Sequence, residues 1–157
     1  MLKICSPKHS LNAWGCKFLA HDLIDFDDFY KQYNVEPVTL SDLLKRSDIV
    51  SLHLPLDEST QNIMDVKNLS LMKSSAILIN AARGGLVDET EVKNMLIENR
   101  LAAAAFDVFS TEPPKDDELL LLDNFFATPH LGGSSQEAIL AMGMAAIDGL
   151  DDCSIPD

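Results

Sequence analysis

Short apolar runs alternate with segments of helical character along this sequence, and no other feature restricts its fold as much. Each run is closed by a polar or turn residue, as buried strands are. The runs are Lys17 to Ala20, Asp48 to Leu54, Ala76 to Asn80, Ala102 to Val108, and Phe125 to Ala127. Strands that are apolar almost throughout and alternate with helices are typical of a parallel sheet covered on both faces. The alternation therefore predicts an α/β fold with a doubly wound parallel sheet.

Three helix starts are indicated by a capping residue followed, three positions later, by a carboxylate. This spacing satisfies free N–H groups in the first helical turn. The pairs are Thr39 with Asp42, Asp88 with Glu91, and Ser134 with Glu137. In the helix after Asp88, an apolar stripe at helical spacing should face the core. The stripe consists of Val92, Met95 and Leu96.

The last helix, predicted from Ser134 to about Gly149, carries apolar side chains on nearly all of its sides. A helix of this kind needs cover on several sides, because a large exposed apolar surface favours association. We therefore expect either a second subunit or a further part of the protein to pack against it.

The composition restricts the class of protein further. Of the 157 residues, 46% are apolar, which suits one globular domain. The 25 acidic and 12 basic residues give a formal net charge of -13, which repels nucleic acids and anionic membranes. No apolar run approaches about 18 residues, and no signal peptide is recognisable. Cys5, Cys16 and Cys153 are widely spaced and predict neither disulfides nor a metal site. The sequence thus predicts a cytoplasmic protein without nucleic-acid, membrane or metal partners.

Residues that follow the predicted strands are the first candidates for function, because parallel sheets bind ligands beyond the carboxyl ends of their strands. A cation, a carboxylate and an imidazole follow three different strands and form a candidate catalytic site: Arg83, Glu112 and His130. Simpler roles remain open for each. Arg83 could cap a helix or pair with a surface carboxylate, Glu112 could be a solvated turn residue, and His130 could be a capping or packing residue. His53 is predicted inside a strand, as a satisfied core histidine.

Three motifs around these residues carry a family resemblance. They are NAARGGLVDE, LAAAAFDVFSTEPP and ATPHLGGSSQEA, which begin at Asn80, Leu101 and Ala127. In this order they closely resemble the D-isomer-specific 2-hydroxyacid dehydrogenases, and among them the D-3-phosphoglycerate dehydrogenase branch. The resemblance covers about residues 13 to 150. It implies a Rossmann-like NAD-binding domain, an NAD-dependent oxidoreductase and a small 2-hydroxy or 2-oxo acid as substrate.

The resemblance also implies a role for each member of the candidate site. Arg83 would bind the carboxylate and carbonyl of the substrate, which its planar fork matches. His130 would give and take the proton of the hydroxyl group, since an imidazole exchanges protons near neutral pH. Glu112 would hold the imidazole in place.

Further residues that match the family's pattern would line the NAD-binding site. Asp22, at the end of AWGCKFLAHD, would lie at the adenosine ribose, where a carboxylate binds hydroxyl groups and repels a 2′-phosphate, so that NAD is favoured over NADP. Asp107 would lie near the nicotinamide. The other cofactor residues implied are Leu54, Pro55, Ala81, Ala82, Arg83, His130, Gly132 and Gly133. The family's pairing through its cofactor domains adds to the expectation of a homodimer.

One motif of the family is absent. Its G-x-G-x-x-G turn should lie just before AWG, where the sequence has no glycine pair. Residues 1–12 are therefore interpreted as an atypical segment, 13–150 as a truncated NAD-binding domain, and 151–157 as a tail, with the first strand, turn and helix missing or replaced. Loss of the family's central first strand should split the sheet. Leu2 to Cys5, with a crossover from Ser6 to Lys17, are hypothesised to replace that strand.

Two functions follow from these observations. The first is an NAD-dependent dehydrogenase, with little or no turnover by this chain alone because the pyrophosphate turn is absent. The alternative is a catalytically inactive fragment or an NAD-sensing interaction module, since transcriptional co-repressors resemble the same family. The stretch GGSSQEA after His130 favours the dehydrogenases, because the co-repressors carry bulky aromatic residues there.

Overall fold

The computed structural model describes residues 15–24, 26–115 and 117–151. The strands in these ranges are β1 (Phe18–Ala20), β2 (Val35–Pro37), β3 (Ile49–Leu52), β4 (Ile77–Asn80), β5 (Ala103–Phe106) and β6 (Phe125–Ala127). The helices are α1 (Asp27–Tyr33), α2 (Leu40–Arg46), α3 (Val66–Leu69), α4 (Glu89–Ile97), α5 (Asp117–Leu120) and α6 (Gln136–Asp151), and a 3₁₀ turn spans Leu131–Gly133. All strand pairs are parallel, which confirms the predicted α/β fold.

The strands lie in two separate sheets. β1 pairs with β2, and β3 to β6 form a four-stranded sheet in sequence order. The described strands are thus divided at the place where the family's central first strand would lie. Leu2 to Cys5, the hypothesised replacement strand, lie outside the described residues.

β2 was not predicted from the sequence. Only Val35 of its three residues is buried, so the segment shows no apolar run. Val35 packs with Phe18, Ala20 and Tyr30 in a small cluster that joins β1, α1 and β2. The strand thus forms because a single apolar side chain completes this cluster. The other predicted strands are confirmed, although several are shorter than expected, and His53 lies just after β3 rather than within it.

The main core lies on one face of the four-stranded sheet. Buried and more exposed residues alternate along β3, β4 and β5, and the buried set packs with α2, α3 and α4. The predicted stripe of α4 is confirmed, since Val92, Met95 and Leu96 are at most 2% exposed. Each such side chain contributes about 1.5–3 kcal/mol on burial. The opposite face is less covered by described residues, and Ile49 and Phe126 there are 60% and 66% exposed.

Two of the three predicted helix caps are confirmed. The Thr39 hydroxyl accepts a hydrogen bond from the Asp42 amide at 3.1 Å, and the Asp88 carboxylate accepts one from the Glu91 amide at 2.9 Å.

The third predicted cap is wrong by one residue. The hydroxyl of Ser135, not of Ser134, accepts from the Ala138 amide at 3.1 Å. The intervening 3₁₀ turn explains the difference, because the Ser134 amide donates to the Leu131 carbonyl and closes that turn.

α6 presents its apolar side chains to solvent. Its exposed large residues are Ile139, Leu140, Met142, Met144 and Ile147, all between 50% and 67% exposed. No helix in the described part of the chain is long and apolar enough to cross a membrane.

Candidate active site

β4, β5 and β6 end side by side at one edge of the sheet. Asn80 lies opposite Phe106, and Phe106 lies opposite Ala127 in the pairing register. The segments that follow therefore leave the sheet next to one another. In chain order they carry Arg83, Glu112 and His130.

Glu112 and His130 are in direct contact. Nδ1 of His130 lies 2.9 Å from Oε2 and 3.2 Å from Oε1 of Glu112. Oε1 also accepts a hydrogen bond from the Phe109 amide at 3.1 Å. The hydrogen bonds from His130 and then from Phe109 hold the pKa of Glu112 below its ordinary value, against a smaller effect of desolvation. An ionised carboxylate only accepts hydrogen bonds, so Nδ1 carries the hydrogen in this contact.

The other ring nitrogen of His130, Nε2, is available to a ligand. Among the described residues it has no hydrogen-bond partner, and the His130 side chain is 47% exposed. A histidine held through Nδ1 by a carboxylate, with Nε2 facing solvent, can exchange a proton with a bound molecule.

Asp107 binds residues on both sides of His130. Its carboxylate accepts hydrogen bonds from the Thr128 hydroxyl, from the Leu131 amide at 2.7 Å and from the Gly132 amide at 2.9 Å. Burial acts to raise the pKa of Asp107, but these hydrogen bonds together outweigh it and lower the pKa. The carboxylate is therefore ionised and anchors the turn that carries the imidazole.

His130 itself has a left-handed backbone conformation, with φ of 54°. For a residue other than glycine this conformation costs on the order of 1–3 kcal/mol. It persists only where the surroundings hold it, and the three hydrogen bonds to Asp107 provide that restraint. The position of the imidazole thus depends on a carboxylate from the neighbouring strand.

Arg83 lies in a loop that is shaped by Asn80. The Asn80 side chain is 2% exposed, donates to the Arg83 carbonyl at 3.0 Å and accepts from the Ala82 amide at 3.2 Å. The Arg83 guanidinium is exposed and donates to the Ala82 carbonyl at 2.7 Å. It pairs with no carboxylate of the described residues, so the surface ion pair considered from the sequence does not form there.

The Arg83 loop does not touch Glu112 or His130 through a hydrogen bond or an ion pair. It packs instead against the segment that carries Glu112, because a Cβ atom added to Gly84 would overlap the Phe109 carbonyl. Only glycine permits this approach. The structure therefore brings Glu112 and His130 together, and places Arg83 in an adjoining loop.

The residues predicted to line the cofactor lie at several strand ends. Asp22 follows β1, is partly buried, and accepts a hydrogen bond from the Ile24 amide at 3.2 Å. Leu54 is buried and Pro55 is exposed after β3, where the Pro55 carbonyl accepts from the Thr60 hydroxyl at 2.7 Å. The remaining residues are Ala81 and Ala82 after β4, and Gly132 and Gly133 in the 3₁₀ turn after β6.

An apolar cavity of about 430 Å³ adjoins the Glu112 and His130 pair. Its walls combine the segment after β5 with the end of β6. The apolar lining residues are Phe109, Pro113, Pro114, Leu120, Ala127 and Pro129. No group of three or more His, Cys, Asp or Glu side chains in the described ranges is arranged to hold a metal ion.

Sequence reasoning missed several residues that shape the site. The Thr128 hydroxyl binds Asp107, and the buried amide of Asn80 turns the Arg83 loop. Both are polar residues at the end of an apolar run, which is the available signal.

His53 was predicted to be a satisfied histidine. Its Nε2 lies 2.9 Å from the Ser51 hydroxyl, and burial lowers the pKa of His53.

The fold and this geometry define a parallel α/β domain with a histidine and carboxylate pair at its strand ends. The family described as "D-isomer specific 2-hydroxyacid dehydrogenase, NAD binding domain" matches residues 8–132. The chain belongs to this family, whose cofactor is NAD.

Three relatives illustrate the similarity. The D-3-phosphoglycerate dehydrogenase of Methanocaldococcus jannaschii is 42% identical over 132 residues, which are 83% of this chain and 25% of the relative. The hydroxypyruvate reductase of Thermotoga maritima is 40% identical over 139 residues, 87% of this chain and 44% of the relative. The crystal structure of a glyoxylate reductase from Paecilomyes thermophila has a TM-score of 0.83 at 28% identity, covering 89% of this chain and 42% of that one. The chain thus spans less than half the length of each.

Proposed function

We propose that this chain is the NAD-binding domain of a dehydrogenase that transfers a hydride between NAD and the CH–OH group of a D-2-hydroxy acid. The contact of 2.9 Å between His130 and Glu112 carries the proposal, because it orients an acid–base group where parallel sheets bind ligands. The named relatives act on phosphoglycerate, hydroxypyruvate and glyoxylate. The substrate class proposed here is accordingly a small 2-hydroxy or 2-oxo acid, with phosphoglycerate as the first candidate.

In this proposal each of the three residues has a separate role in the reaction. Arg83, which no described carboxylate neutralises, binds the substrate carboxylate through its two parallel N–H groups. As the hydride leaves the substrate carbon, Nε2 of His130 accepts the hydroxyl proton, and the reverse reaction returns it. Glu112 keeps the imidazole oriented through Nδ1.

The residues present fit parts of NAD, which supplies the hydride acceptor when bound. The carboxylate of Asp22 suits the two ribose hydroxyls and disfavours a 2′-phosphate. Ala81, Ala82, Gly132 and Gly133 are small, and no atom lies within 4 Å of the Cβ position of Gly133. Asp107 would act beside the nicotinamide through the turn that it anchors. Because the sequence lacks a G-x-G-x-x-G turn, we propose that binding by this chain is weak.

We further propose that the protein is a cytoplasmic homodimer. The uncovered apolar side chains of α6 support association. The net charge of -13 and the unpatterned cysteines support a cytoplasmic location.

Oxidation of NADH by glyoxylate, hydroxypyruvate and 3-phosphohydroxypyruvate, followed by absorbance, tests the function. We expect slow turnover of at least one acid. His130→Asn should lower the rate by about 100-fold or more, because acid–base catalysis contributes that much. Arg83→Lys should raise KM, since lysine lacks the planar fork. The matched control is Arg46→Lys, whose side chain pairs with Glu36 beyond the site and should leave the kinetics unchanged.

Isothermal titration with NADH separates the remaining outcomes. Saturable binding without any oxidation would overturn the enzymatic function and favour the NAD-sensing module. Absence of both binding and oxidation would overturn both functions. Micromolar binding would contradict the weak affinity that we propose for a chain lacking the glycine-rich turn.

A further inference from the structure

Glu89, in the first turn of α4, is joined to the segment that carries Glu112. One of its carboxylate oxygens accepts a hydrogen bond from the Ser110 amide at 2.7 Å, and the other accepts from the Ser110 hydroxyl at 3.1 Å. Ser110 lies two residues before Glu112 in the chain. Both oxygens of Glu89 thus bind one residue of the segment that leaves β5, and hold it against α4.

The same segment is held from a second side by the Arg83 loop. The backbone of Phe109 lies against Gly84 so closely that no side chain fits between them. The Phe109 amide in turn donates to Glu112 at 3.1 Å. Residues 109 and 110 are therefore fixed by two contacts, one to Gly84 and one to Glu89, immediately before the carboxylate that binds His130.

We propose that Glu89 is a positioning residue for the Glu112 and His130 pair. Its carboxylate clamps Ser110 and thereby sets where Glu112 stands relative to the imidazole. No hydrogen bond or ion pair joins Glu89 to Glu112 or His130, so its effect passes through the backbone of residues 109–112. This inference rests on the proposed function, because it concerns the same acid–base pair, and it assigns a positioning role to Glu89, the last residue of the motif NAARGGLVDE.

Loss of the clamp has a measurable consequence at Glu112. The hydrogen bonds from His130 and Phe109 keep the pKa of Glu112 low, so a displaced segment should let that pKa rise toward its ordinary value. Besides His130, the charged group that acts on the pKa of Glu112 is Asp107, which directly follows β5 and is not bound to Glu89. Glu89 is not among the charged groups that act on the pKa of Glu112, and loss of a negative charge could only lower that pKa. Positioning and charge effects therefore have opposite signs.

The experiment is a carbon NMR titration of the Glu112 carboxyl in the purified chain, assigned with Glu112→Gln. In Glu89→Ala, which removes both hydrogen bonds, we expect the pKa of Glu112 to rise. In Glu89→Gln, an amide oxygen still accepts from the Ser110 amide, and the amino group can donate to the hydroxyl. This conservative variant should therefore prevent the rise although it also lacks the charge.

Glu91→Ala provides the matched control. Glu91 lies in the same turn of α4, but its carboxylate pairs with Arg100 at 3.0 Å and does not reach the segment after β5. It should leave the Glu112 titration unchanged. An unchanged or lowered pKa of Glu112 in Glu89→Ala, or equal shifts in the Ala and Gln variants, would overturn the proposal.

The positioning role can be tested even if Glu89→Ala does not fold or the chain has no dehydrogenase activity. If Glu89→Ala does not fold, Ser110→Ala removes the hydroxyl bond alone and should give a smaller rise, and no rise there would count against the clamp. The titration needs neither NAD nor turnover. A chain without dehydrogenase activity but with the expected shifts would thus refute the proposed function and leave the positioning role intact.

Discussion

At the scale of single residues, the site depends most on the ionised carboxylate of Asp107. It binds one hydroxyl and two amides around a histidine whose backbone is in the left-handed region. Hydrogen bonds to a charged acceptor are worth about 1.5–3 kcal/mol, roughly twice those between neutral groups. The restraint on His130 is therefore as large as the conformational cost that it offsets.

Replacement of this carboxylate should cost stability in a pH-dependent way. Asp107→Asn keeps one acceptor but turns an amino group toward backbone N–H groups, so we expect the free energy of unfolding to fall by about 1–3 kcal/mol at neutral pH. The pKa of Asp107 is lowered in the folded state, so its contribution is complete above the ordinary aspartate pKa and is lost as the pH falls through the lowered value.

Urea unfolding of both proteins over a pH series measures this difference. Asp123→Asn, at an exposed position in the turn before β6, should behave like the unsubstituted chain at every pH. A stability difference for Asp107→Asn that stays constant down to strongly acidic pH would show that the charge is not the source of the restraint.

The sequence indicated which residues could meet, but not how they are held. Arg83, Glu112 and His130 were singled out because the strand ends of a parallel sheet share one edge, and of these three Glu112 and His130 are in contact. The clamp by Asp107 could not be found in this way, because its partners are backbone amides 24 and 25 residues further along the chain. Contacts between a side chain and a distant backbone leave no residue pattern, and the same applies to Glu89 and Ser110.

At the scale of elements, local signals predicted helix starts well where nothing else competed for the capping residue. Thr39 and Asp88 follow extended segments and cap as their spacing indicates. The helix cap predicted at Ser134 is wrong because the glycine pair before this residue forms a 3₁₀ turn, which the Ser134 amide closes. The strand β2 was not predicted for a related reason, since a single buried side chain gives no periodic signal. Isolated side chains that act in tertiary contacts are what sequence patterns miss.

The shifted cap of α6 leads to a prediction that separates two adjacent serines. Ser135→Ala removes the acceptor for the Ala138 amide and should destabilise the first turn of α6 by about 1 kcal/mol. Amide exchange in this turn should therefore become roughly fivefold faster. Ser134→Ala is the matched control, because its hydroxyl binds the His130 carbonyl and not the helix. Hydrogen exchange at Ala138 and Ile139 measures the effect, and equal exchange in the two variants would contradict the assigned cap.

At the scale of the whole molecule, two apolar surfaces are left uncovered by the described residues. One is the second face of the four-stranded sheet, which includes Ile49 and Phe126, and the other is α6. A parallel sheet in an α/β domain is ordinarily covered on both faces. The strongly apolar strands predicted a sheet covered on both faces, and the described part of the chain covers one face only. The association proposed above would cover such surfaces.

The proposed homodimer makes the role of α6 testable. Leu140 and Ile147 lie on one side of this helix, seven residues apart, and are 67% and 56% exposed in the single chain. We expect light scattering after size exclusion to give about twice the chain mass of 17.3 kDa. The double substitution Leu140→Glu with Ile147→Glu should return the mass of one chain, because burying two unpaired carboxylates is costly. Leu121→Glu, at a residue that is 81% exposed and outside α6, should remain dimeric. A monomer in all three proteins would show that a second copy of the chain does not cover α6.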